Sequence, residues 1–93
     1  MKIVNLFEQF TIDLSQTLTL STNNGGVVTI EIYDALLFIE ETQIREELEF
    51  LNHLATSKDK PSQASITSFL KHLFFDAALA RLFVQWQRSH KAA

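Results

Sequence analysis

Thr17-Leu18-Thr19-Leu20-Ser21-Thr22-Asn23-Asn24-Gly25-Gly26-Val27-Val28-Thr29-Ile30-Glu31-Ile32-Tyr33 is the stretch on which the fold turns. Leu18 and Leu20 alternate with Thr17, Thr19 and Ser21, and Val28, Ile30 and Ile32 keep the same period of two beyond the centre. β-branched residues suit a pleated surface, and Asn and Gly tolerate the positive φ of a primed turn. The stretch therefore predicts a β-hairpin whose buried side sets Leu18 and Leu20 against Val28, Ile30 and Ile32. A lone hairpin is marginal in water, so helices must cover its apolar face or a further strand, for instance from a second copy, must complete its edge.

Outward from the hairpin the period lengthens. Upstream, Ile3, Leu6, Phe7, Phe10 and Leu14 recur at three- and four-residue steps, which predicts a helix from residue 2 to about 14. Downstream, Asp34 is placed to cap a helix running to about Ala55. Glu40 and Glu47 then fall between two apolar stripes and call for Arg81 or Lys71 as partners. The competing reading continues the sheet through Ala35–Glu40 and starts the helix near Thr42. After the polar stretch 56–62, Ser62 or Ser65 caps a last helix reaching about Ser89. The expected fold class is α+β, one domain over residues 1–93: an N-terminal helix, a hairpin, and two longer helices packed on it.

The last helix carries more apolar surface than one face holds. Ile66, Phe69, Leu70, Leu73, Phe74, Ala77, Ala80 and Val84 form one broad stripe; Phe75, Leu79, Leu82, Phe83 and Trp86 form a second. The second stripe is either an interface, with a homodimer as the first expectation, or an internal surface covered by the N-terminal helix and the hairpin.

Composition excludes several classes. The 93 residues are 46% apolar, with 8 Phe, 2 Gly and 1 Pro, so the chain can bury a core and has few sharp turns. The absence of Cys removes disulfides and thiolate chemistry and fits a reducing compartment; no leader-like or membrane-spanning run is seen, and the expected location is cytoplasmic. The net charge of −3 divides into −7 over residues 1–57 and +4 over residues 58–93.

No motif assigns an activity. His72 and Asp76 stand one helical turn apart without a third ligand, the Gly pair lies in the hairpin instead of ahead of a helix, and no serine has a nucleophile-elbow context. Neither a cofactor nor a metal nor enzymatic activity is expected. The expected function is a small protein-binding regulator or adaptor of inhibitor, immunity or chaperone type. Phe75, Leu79, Leu82, Phe83 and Trp86 are its apolar contact, with Asp34, Glu41, Glu46 and Glu49 as an acidic rim. Arg45 lies within that acidic row, as on an ordinary solvated helix face. The alternative is a nucleic-acid-binding regulator using Trp86-Gln87-Arg88-Ser89-His90-Lys91.

Overall fold

In the computed structural model, residues 3–42, 44–56 and 61–91 are described. Strands β1 (Thr17–Ser21) and β2 (Val27–Glu31) form the antiparallel hairpin, with Leu18 opposite Ile30 and Leu20 opposite Val28. Those four side chains are buried and the intervening threonines are exposed, as the alternation predicts. The connection differs from the expected primed turn. Gly25 N–H donates to Thr22 O, Thr22 N–H donates to Gly26 O, and Gly25 alone of the two glycines has positive φ, at +82°. This is a three-residue loop closed by a left-handed glycine.

Helix α1 (Ile3–Glu8) stops well short of residue 14. Past Glu8 the chain turns, with Phe10 N–H donating to Phe7 O and Ile12 N–H donating to Phe10 O, and the carboxylate of Asp13 then accepts from both the backbone N–H and the hydroxyl of Ser15. The side-chain amide of Gln63 fixes the same segment by donating to Asp13 O and accepting from Asp13 N–H.

Helix α2 (Ile32–Thr42) follows β2 without a loop. Its first amides need acceptors, and those of Ile32 and Tyr33 donate to Gln16 O and Leu14 O from the chain entering β1. Asp34 thus lies inside the first turn, where a carboxylate favours the helix dipole, and is not the cap. Ala35–Glu40 is helical, which overturns the strand reading. The single helix expected through Ala55 is two, because α3 (Arg45–Thr56) begins anew after Thr42, whose hydroxyl donates back to Phe38 O. Glu40 and Glu47 therefore occupy separate helices.

The last helix is also two. Helix α4 (Gln63–Leu73) has Ser62 as its cap, in a reciprocal capping box with Ser65, as expected. Phe74 ends it, and α5 (Ala77–Lys91) starts afresh. The cause lies partly in Asp76, whose Oδ1 accepts from Ala78 and Leu79 N–H at 3.0 and 3.4 Å. The hairpin tip supplies the rest: Asn23 N–H donates to Phe75 O at 2.8 Å, and Asn23 Oδ1 accepts from Ala77 N–H at 3.2 Å.

An aromatic cluster holds α2, the α4 terminus and α5 together. Phe38 meets Phe83 edge-on at 5.4 Å and Trp86 at 5.7 Å, and Phe74 meets Phe83 at 5.2 Å. Phe38, Phe74 and Phe83 are fully buried with Ile32, Leu36, Ile39, Leu51, Ile66 and Leu70. No helix of the described residues is long and apolar enough to cross a membrane.

Candidate functional site

The five residues expected as an apolar contact do not share one surface. Phe83 is wholly buried at the centre of the aromatic cluster. Leu79 and Trp86 are half-buried and pack on the core from the same side. Phe75 and Leu82 are exposed, at 53% and 55%. Helix α2 covers part of the second stripe, Phe38 meeting Phe83 and Trp86, and the hairpin tip reaches Phe75 O through Asn23 N–H. The contiguous patch shrinks to two exposed side chains flanked by two half-buried ones.

The expected acidic rim is likewise divided. Asp34 is half-buried at the start of α2, Glu41 is exposed near its end, and Glu46 and Glu49 are exposed on α3. Glu41 joins the two expected sets: its Oε2 accepts from Trp86 Nε1–H at 2.7 Å and lies 2.8 Å from His90 Nε2. The His90 ring sits 4.3 Å from that of Trp86, and its Nδ1 lies 3.0 Å from Trp86 O. Both ring nitrogens face acceptors, an arrangement that the imidazolium satisfies at both positions. Glu41 thus ties the far end of α5 to the end of α2.

The remaining expected partnerships fall differently. His72 Nδ1 lies 2.8 Å from Ser68 O while Asp76 caps the next helix, so the one-turn pairing does not form. Arg81 and Lys71 make no ion pair among the described residues. The side chain of Arg45, and Lys58 and Lys60, lie outside the described residues. Among the described residues no three His, Asp or Glu side chains gather as metal ligands would.

A concavity among the described residues lies elsewhere, between the outer edge of β2 and α5. It is an open groove of about 420 Å³. Val27, Val28 and Thr29 form one wall, and Ala80, Val84 and the two arginines, Arg81 and Arg88, form the other. The helix is held there by the contacts of Asn23 with Phe75 and Ala77 at the groove's end.

Register decides what the β2 wall presents. Thr22 N–H donates to Gly26 O, and Ile32 N–H donates to Gln16 O at the other end of the ladder. Because hydrogen-bonded and non-hydrogen-bonded pairs alternate, the pairs Leu20–Val28 and Leu18–Ile30 exchange the ladder bonds. The N–H and C=O groups of Val27 and Thr29 then point outward, toward the groove side. The sheet of the described residues has two strands, so nothing in it pairs with this edge. Among the described residues Val27 is also the most exposed large apolar one, at 70%.

No protein-family model, no curated protein and no solved structure matches the chain.

Of Val27, Thr29, Arg81 and Arg88, sequence reasoning places only Arg88 in a candidate site, the nucleic-acid alternative, and none of them in a protein-binding one. Two signals point to them. Val27 is the apolar residue that breaks the outward-polar alternation of the hairpin, and Arg81, Val84 and Arg88 fall at three- and seven-residue steps along one side of α5 beside the small residues Ala77 and Ala80.

Proposed function

We propose that this chain is a small non-enzymatic protein-binding regulator or adaptor that takes an extended segment of its partner along the outer edge of β2. The observation that carries the reading is the unpaired β2 edge set beside α5 in an open groove. A peptide laid there would continue the ladder with main-chain hydrogen bonds and place alternate side chains on Val27 and Val84, the ordinary economy of strand addition. An exposed strand edge otherwise invites indiscriminate pairing, and the edge carries neither a proline nor a lysine to blunt it. Selection of binders from a displayed peptide library, followed by amide chemical-shift mapping, tests this reading. Shifts concentrated at Val27, Thr29, Ala77 and Val84 support it; binders that shift only residues elsewhere refute it.

Self-association is a second reading, favoured by the exposure of Phe75 and Leu82. Its contact would flank the groove, since Leu82 stands about 60° around the helix from the groove-lining Gln85 and about 100° from Arg81. The nucleic-acid alternative has less support. Trp86, its stacking residue, is engaged by Phe38, Phe83, His90 and Glu41.

A further inference from the structure

We infer that the occupant of the β2–α5 groove is an acidic extended peptide, a segment carrying carboxylates on one side of a strand; this rests on the protein-binding reading of the same groove. Arg81 and Arg88 are both exposed, both line the groove, and neither has a carboxylate partner among the described residues. None of the groove's lining residues is an Asp or Glu, in a chain whose net charge is −3. Two guanidiniums without counter-charges beside a row of outward amides and carbonyls form a complementary surface for main chain and carboxylate together. The arginines are seven residues apart on α5, about 10 Å along the axis, which matches acidic side chains about two to four positions apart on a strand.

Charge also chooses between occupants. A second copy paired through β2 about a two-fold axis would bring both arginine pairs to one seam with no acid from either groove, a like-charge arrangement. A nucleic-acid strand offers phosphate acceptors to the arginines, but its backbone has no regular donors for the outward carbonyls of Val27 and Thr29. An acidic peptide satisfies both sets.

The test is fluorescence anisotropy with the whole chain and four labelled probes: a ten-residue peptide alternating Glu and Val, its Gln counterpart, the Glu peptide N-methylated at every amide, and an oligo-dT of equal charge. The Glu peptide is expected to bind at least about tenfold more tightly than the other three, to weaken with added salt, and to fall to the level of the Gln peptide in the Arg81→Gln/Arg88→Gln variant. Both arginines are exposed, so that variant should keep its fold, which its circular dichroism checks. Equal binding of Glu and Gln peptides, with loss on N-methylation, would overturn the acidic occupant and leave the strand-docking reading standing. Undiminished binding of the N-methylated peptide, or binding of no peptide, would overturn both. Tighter binding of oligo-dT with the same arginine dependence would assign the groove to phosphates. A dimer dissociated by the Glu peptide would assign it to a second copy. Each of these last two outcomes also overturns the inference.

Discussion

Asn23, at the hairpin tip, holds both sides of the α4–α5 elbow: its N–H donates to Phe75 O at 2.8 Å, and its side-chain oxygen accepts, across 54 residues of sequence, from Ala77 N–H at 3.2 Å. This contact lies at one end of the groove. It fixes where α5 begins relative to the turn, and α5 then runs beside β2 with Arg81, Val84 and Arg88 toward the strand edge.

Asn23→Ala should therefore lower stability by about 1 kcal/mol, the ordinary worth of a helix cap. Urea denaturation followed by circular dichroism measures it. A larger loss of peptide affinity than of stability would show that the elbow also sets the groove; a change of only a few tenths of a kcal/mol would mean that Asp76 caps α5 unaided.

The two neighbours Leu82 and Phe83 separate core from surface. Phe83→Ala empties a fully buried site among Phe38, Phe74 and Trp86 and should cost about 3–5 kcal/mol. Leu82→Ala, at a position 55% exposed, should stay within about 0.5 kcal/mol. Similar losses at both positions would contradict the placement of α5 against α2.

Acid stability carries a local signature at Asp13. The Ser15 hydroxyl and then the Ser15 backbone N–H hold its carboxyl below the usual aspartate range. A lowered folded-state value means that the contribution is fully present above the unfolded-state value and is lost as pH falls through the folded one. Carboxyl resonances followed by NMR should titrate Asp13 below the usual aspartate range, and Ser15→Ala should move its midpoint upward. An unchanged midpoint in that variant would remove Ser15 as the cause.

Light scattering over micromolar concentrations addresses the second reading. If Phe75 and Leu82 form a seam between two copies, the mass should approach twice 10.6 kDa, and Leu82→Asp should return it to one copy without unfolding. A monomer throughout would leave those side chains as scattered surface residues.

How much of this was legible beforehand follows from the range of the interactions. The hairpin and the start of α4 are written in residues that touch their near neighbours; the hairpin is legible apart from its turn type, and the cap is narrowed to Ser62 or Ser65. The two helix breaks were not. The apolar period runs through Asp76 without interruption, so Asp76 reads as an interior residue until Asn23 arrives from 54 positions away to share the capping of α5. The segment after α1 is similar, since Gln63 pairs with the Asp13 main chain across 50 residues. The apolar surplus at Phe83 and Trp86 leaves interface and internal core both open in the sequence, because no local pattern shows that Phe38 of α2 meets them. The groove was invisible for the same reason: no local pattern tells which side of α5 lies along β2.

Amide hydrogen exchange at Thr29 and Val28, measured with and without the acidic Glu-Val peptide, tests strand docking most directly. In the free protein the outward Thr29 amide should exchange at least about tenfold faster than the ladder-bonded Val28 amide, and saturating peptide should slow Thr29 by at least that factor. A Thr29 amide already protected in the free protein, or one unaffected at saturation, would contradict the account.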